Sequence, residues 1–354
     1  MSRRRRILGG LGAAALGVVG AVVWATTERP LPRLTPLPVQ PIRDADSWVA
    51  QRIEADLDAG VWPVATWRLN RQVEGRADVV FVYVHGFGAC RAEGEYTLDR
   101  LAERWRANVL YVRLPGHGLD RAAHAAARPR DYAHTLSEAL AVAPLLGEKV
   151  VLVGSSTGGT VATWAAAALP EQVDALVLTS PLFAFADPLA QSLLPRRAAL
   201  RVLTAVQGTT RDAGWTSDPE GRMVEGYNDR WLIEQDTAAL IPLEDLRRAV
   251  ARPEVFEAVQ APTLLLHYYA DEAHQDDVVS VPAMRAAWRW LGRHADSRMV
   301  AIADGNHILT SAWVRTDKRA VLAAFEDFLA ATVGPAPEPA SPAEAPDAGA
   351  EGSE

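Results

Sequence analysis

Ser156 stands at the centre of Gly154-Ser155-Ser156-Thr157-Gly158, directly after the apolar run Val150 to Val153 and before a stretch of small residues. A serine on a sharp strand-to-helix turn is projected above a sheet, and glycines on either side relieve the crowding of that turn. The helix that starts behind it brings backbone N–H groups close to the hydroxyl, where they stabilise negative charge. Those features suit a nucleophile, with Gly154 and Gly158 shaping its elbow and Ser155 as a packing neighbour. A second glycine-rich loop, His85-Gly86-Phe87-Gly88, follows the apolar run from Val79 to Val84. Its glycines allow close approach to a bound substrate, and the Phe87 amide pairs naturally with that of Thr157 as an oxyanion hole. His85 is read as architectural, since no second and third ligand at suitable spacing completes a metal site.

The elements around these loops alternate. Asp78 to Val84, Asn108 to Arg113, Lys149 to Val153, Asp174 to Thr179, Thr263 to His267 and Met299 to Ala301 read as short apolar strands. Helical patterns fall at Glu93 to Arg104, Thr135 to Leu145, Ala162 to Leu169, Val281 to Leu291 and Trp313 to Leu329. Short strands separated by helices predict a mainly parallel central sheet with helices on both faces. Neither a dinucleotide fingerprint nor a P-loop occupies the required place. Between residues 181 and 260 the alternation stops, apart from a helical pattern at Leu193 to Val206. This stretch is expected to be a lid inserted between strands.

Further motifs fall in order along the chain: Leu114-Pro115-Gly116-His117-Gly118, an acidic loop after the strand at Thr263, and Gly305-Asn306-His307. Together with the elbow and the His85 loop, they resemble the α/β-hydrolase superfamily, especially its esterase and monoacylglycerol-lipase-like branch, over roughly residues 60 to 330. The resemblance implies the α/β-hydrolase fold with an inserted lid, and makes His117 structural and His307 the general base. It also implies a triad acid in the loop after Thr263 to His267. Counted forward from that strand, Asp271 falls where many relatives carry the acid. Counted back from Val278-Val279-Ser280, Asp276 has the usual one-residue gap before two valines. Asp276 is preferred, with Asp271 the alternative and Asp277 and Glu272 behind it.

Arg3 to Arg6 precede Ile7 to Ala25, which carries no charge. As a helix, that run would extend about 28 Å, near the thickness of a bilayer's hydrocarbon. Residues 1–29 are therefore expected to be a membrane anchor or export signal. The catalytic domain would then lie outside the cytoplasm, membrane-tethered or exported to the periplasm or exterior. A proline-rich connector is expected over residues 30–45, the catalytic domain over 46–333, and a disordered tail over 334–354. That tail holds five prolines, six alanines and five acidic residues and has no bulky apolar anchor.

The formal net charge of −8 and the absence of a basic face in the body of the chain argue against nucleic acid as a partner. The single cysteine, Cys90, rules out an internal disulfide and a cysteine-rich zinc site. The expected function is hydrolysis of a carboxylic ester of a small molecule or lipid, monoacylglycerol included, through an acyl-enzyme without cofactor or catalytic metal. Amidase, thioesterase or transacylase chemistry is one alternative, and a catalytically silent membrane-tethered binding or scaffold protein is the other.

Overall fold

Valine-rich runs with apolar residues on both faces build the sheet, and the connections between them coil into helices. The computed structural model describes residues 22–213 and 221–338. Helix α1 (Ala45–Asp58) leads to β1 (Arg68–Asn70), and alternation begins with β2 (Ala77–Val84), α2 (Glu95–Trp105) and β3 (Asn108–Val112). Next come α3 (Arg121–Ala126), α4 (Pro129–Leu146), β4 (Gly147–Ser155), α5 (Thr157–Ala168) and β5 (Ala175–Thr179). An excursion then carries α6 (Pro188–Leu193), α7 (Ala199–Gln207), the strands β6 (Thr210–Asp212) and β7 (Glu234–Asp236), α8 (Leu240–Val250) and α9 (Pro253–Ala258). The chain rejoins the sheet through β8 (Thr263–Tyr268), α10 (Val281–Leu291), β9 (Arg298–Ile302) and α11 (Lys318–Thr332).

The seven-stranded sheet has the order β1-β3-β2-β4-β5-β8-β9. Every neighbouring pair is parallel except β1 with β3. This is the α/β-hydrolase fold, with its mostly parallel sheet and flanking helices. The strand period of two divides the core. Val80, Val82 and Val84 join the apolar faces of α4, α5 and α10, whereas Val79, Phe81 and Tyr83 join those of α2 and α11. The candidate site residues fall at the carboxyl ends of the parallel strands β2, β4, β8 and β9.

Element ends differ from the sequence expectations where capping decides them. Helix α4 starts at Pro129 rather than Thr135, because the Asp131 carboxylate accepts from the Arg128 amide at 2.9 Å and closes its first turn. Helix α11 starts at Lys318 rather than Trp313, since Asp317 caps it through the Ala320 amide at 3.0 Å. The helix expected at Leu193 to Val206 is shortened to α7, and Leu193 instead ends α6. Pro195 supplies no N–H to continue α6.

The membrane-spanning helix expected over Ile7 to Ala25 is corrected: among the described residues, no helix is long and apolar enough to cross a membrane. Residues 1–21 lie outside the described residues. Residues 22–26 are helical. The chain then joins the folded domain. The Arg29 amide donates to the Pro195 carbonyl at 2.8 Å, and the Arg197 amide donates to that of Thr27 at 3.0 Å. The signal anchor, the membrane association through this segment and the placement outside the cytoplasm, tethered or exported, rested on that helix and are set aside with it. Of the expected tail, residues 339–354 also lie outside the described residues. Gly334 remains attached to the domain, its carbonyl accepting from Trp105 Nε1 at 3.1 Å.

Candidate active site

Between the last residue of β4 and the first of α5, Ser156 adopts φ 51°, ψ −115°. A non-glycine residue held there carries about 1–3 kcal/mol of backbone strain. Neighbours fix it: the Ser156 amide donates to the Thr179 carbonyl at 2.9 Å, and its own carbonyl accepts from the Leu182 amide at 3.1 Å. The flanking glycines are needed for close approach. A Cβ on Gly154 would lie 2.5 Å from the Gly158 carbonyl oxygen, and one on Gly158 would lie 2.1 Å from that of Val84.

His307 follows β9 on an irregular segment. Its Nε2 lies 2.9 Å from Ser156 Oγ, and its Nδ1 lies 2.9 Å from Asp276 Oδ2 and 3.1 Å from Oδ1. Asp276 is buried, and its Oδ1 accepts from the amides of Val278 and Val279 at 3.0 and 2.9 Å. Asp271 is not part of this line. It is exposed, accepts from the Ala273 amide at 2.8 Å and contacts the His274 ring at 2.9 Å. The extra residues that precede Asp276 are taken up by a closed excursion. A bridge between Tyr269 and Gln275 pinches it off, and the Asp276 amide then returns to the Tyr268 carbonyl at 3.2 Å.

Burial most strongly opposes the His307 cation, but the carboxylates of Asp276, Glu93 and Asp277 together outweigh it, and the His307 pKa rises above its ordinary value. The segment after His307 is pinned to the β2–α2 region. Thr310 Oγ1 donates to the Glu93 carbonyl at 2.8 Å, and Thr97 Oγ1 donates to the Thr310 carbonyl at 2.9 Å. The Lys318 ammonium holds the Leu309 and Val314 carbonyls at 3.1 and 2.9 Å.

The His85 loop is framed by two neutral imidazoles. His85 Nδ1–H donates to the Gly86 carbonyl at 2.9 Å while its Nε2 accepts from the Leu114 amide at 3.1 Å. His117 Nδ1–H donates to the Pro115 carbonyl at 3.1 Å while its Nε2 accepts from the Gly88 amide at 3.0 Å. Burial keeps both uncharged, lowering the His117 pKa to about 4. Phe87 and Thr157 line one cavity with Ser156 and His307. The amides of both donate to no group among the described residues.

Cys90 is buried, its thiol pushed up to about 12 by burial, so it is a packing residue. No group of three metal-ligating side chains occurs among the described residues.

Two further residues escaped the sequence reading. Glu93 is buried beside the elbow, its carboxylate accepting from the Gly86 amide at 2.7 Å and the Tyr83 hydroxyl at 2.9 Å. Burial raises its pKa against those hydrogen bonds. The other is Arg211, in the polar part of the excursion. Neither had a signal in the sequence, because Glu93 takes its meaning from the loop that folds back onto it and Arg211 from the cavity it lines. The cavity they share with Ser156 has a volume of about 790 Å³ and is walled largely by apolar side chains, among them Leu182, Phe185, Leu203, Trp231 and Leu243.

The sequence profile of the alpha/beta hydrolase family matches residues 79–325. The chain belongs to the alpha/beta hydrolase family. Among its relatives is a pimeloyl-[acyl-carrier protein] methyl ester esterase of Pectobacterium carotovorum, 36% identical over 118 residues, covering 33% of this chain and 43% of that protein. The chain thus matches less than half the length of that relative. A structure of the metagenome-derived lipolytic enzymes LipS and LipT superposes on 76% of this chain and 98% of its own, with a TM-score of 0.59 at 21% identity. A monoacylglycerol lipase of Paleococcus ferrophilus covers 73% of this family member and 97% of its own chain, with a TM-score of 0.51 at 16% identity. At those identities the two structures speak for the fold.

Proposed function

We propose that the chain is a serine hydrolase that cleaves a carboxylic ester by acyl transfer to water. The observation that carries this reading is the unbroken hydrogen-bonded line from Ser156 Oγ through both ring nitrogens of His307 to Asp276. Ser156 Oγ attacks the ester carbonyl while His307 Nε2 takes its proton. Asp276 orients the ring and stabilises the resulting cation. The developing oxyanion is bound by the amides of Phe87 and Thr157. Collapse expels the alcohol with the proton from His307 and leaves an acyl group on Ser156. Water, losing its proton to His307, then releases the acid and restores the serine.

The apolar wall supports an ester with an apolar acyl chain, such as a monoacylglycerol or another lipid ester. Residues 181–260 are read as its lid, because α6, α7 and α8 supply much of that wall. The domain is read as spanning residues 46–333, with 30–45 as its connector. A chain-length series of p-nitrophenyl esters and monoacylglycerols, run beside matching amides, tests the reaction class. Turnover of esters that is abolished in Ser156→Ala is expected. Efficient amide turnover with inert esters would contradict the assignment.

A further inference from the structure

The cavity holds a cation that no described residue neutralises. Arg211 is the one Arg or Lys among the described residues lining it. It stands in the middle of β6, opposite Gln235 of β7, and both residues line the cavity. Strand alternation sends Glu234 and Asp236 to the other face of this ribbon. There Arg121 of α3 pairs with both of them. The Arg211 side chain makes no hydrogen bond or ion pair with any described residue, and its Nε is sealed from solvent without an acceptor.

Arg211 is half-buried, and a guanidinium partly withdrawn from water without an opposite charge is costly to maintain. The downward shift of the Arg211 pKa, caused by burial, expresses the same cost. A ligand that brought an anion would remove it, since the guanidinium fork matches two oxygens of a carboxylate or phosphate. The rest of the cavity suits an apolar chain, and its other charged lining residues besides His307 are acidic: Glu93, Asp187, Asp212 and Asp277. An anionic group would therefore be directed to one place.

We propose that Arg211 is an anion subsite, and that the substrate is an amphiphilic ester whose apolar part fills the cavity while its carboxylate or phosphate pairs with Arg211. This inference rests on the ester-hydrolase reading and adds a substrate class to it.

The test measures equilibrium binding to full-length Ser156→Ala protein by calorimetry, so that no turnover is needed. The probes are monomethyl suberate with dimethyl suberate as its neutral partner, and 1-octanoylglycerol 3-phosphate with 1-octanoylglycerol as its partner. At least one anionic probe is expected to bind about tenfold to hundredfold more tightly than its partner. Preference for the suberate places the anion on the acyl side, and preference for the phosphate places it on the alcohol side. Adding Arg211→Gln should bring the ratio to about one, while Arg211→Lys, which keeps the charge and loses the fork, should retain part of it. Unfolding of the Arg211→Gln protein should occur at the same or higher denaturant, because an uncompensated charge is removed.

Equal binding of anionic and neutral probes, binding of none, or a preference that survives Arg211→Gln in folded protein would overturn the subsite. Wild-type turnover of dimethyl suberate and 1-octanoylglycerol is read separately. Ser156-dependent turnover without anion selectivity defeats the subsite alone. Anion selectivity without Ser156-dependent turnover of any ester defeats the hydrolase reading instead.

Discussion

A histidine can take the Ser156 proton only while it is neutral, so the charges around His307 set the working pH. The His307 pKa is raised, the surrounding carboxylates together outweighing burial, and protonation below that pKa blocks the base. The acid limb of kcat/KM should therefore fall above about pH 6.5, the ordinary histidine value. Asp276→Asn should move that limb downward and reduce kcat by about 10⁴, whereas Asp271→Asn should leave turnover within about twofold. A pH–rate profile of the three proteins checks both statements; severe loss in Asp271→Asn with normal turnover in Asp276→Asn would reverse the assignment of the acid. Glu93 offers a second residue-scale test. Glu93→Ala strands the Gly86 amide and the Tyr83 hydroxyl in a buried site, costing about 2 kcal/mol or more in denaturant unfolding; an unchanged midpoint would show those contacts to be dispensable. Ser156 and His307 were legible because their loops carry small and polar residues in a fixed order. Between Asp276 and Asp271 spacing alone left the choice open, since it hides the bridge at Tyr269 and Gln275 that returns Asp276 to the end of β8.

At the scale of elements, the elbow depends on α5 approaching β2 across two glycines. Gly158→Ala should cost about 1–3 kcal/mol, because its Cβ would meet the Val84 and His85 carbonyl oxygens at 2.1 and 2.5 Å. Denaturant unfolding with a matched loss of turnover is the expected result, and unchanged stability would mean that the elbow tolerates a wider helix-to-strand gap. Strands were the most legible elements, because β2, β4, β5 and β8 are buried on both faces and read as continuous apolar runs. The helix α1 and edge strand β1 were not anticipated. Only Ala45, Val49 and Asp56 of α1 are buried, and β1 has three residues, none of them fully buried. Such elements are selected by tertiary contact rather than by their own pattern. The excursion was legible as an interruption, and of its helices only α7 was anticipated, within the pattern at Leu193 to Val206.

Over the whole molecule, the stretch that precedes the domain is fastened to the excursion. Arg29 pairs with Asp245 at 2.7 Å and donates to the Leu194 and Arg196 carbonyls at 2.5 and 3.0 Å. Arg248 reaches back to Glu28 at 2.8 Å. The strap thereby joins α8 to the turn between α6 and α7, which bound the cavity. Arg29→Ala should destabilise the fold by about 1–2 kcal/mol and speed proteolytic cleavage within residues 188–207. Unaltered cleavage would show that the strap does not restrain those helices. An apolar run at the beginning of the chain suggested a membrane span, but among the described residues no helix is long and apolar enough to cross one; residues 27–29, which follow that run, pair with the excursion.

The proposed acyl transfer requires Ser156 to be a nucleophile activated by His307. The most direct measurement is reaction of the folded full-length protein with a fluorophosphonate, followed by intact mass and peptide mapping. A single adduct on Ser156 is predicted, lost in Ser156→Ala and strongly slowed in His307→Ala. No adduct on folded wild-type protein, or equal labelling of Ser156→Ala, would contradict it.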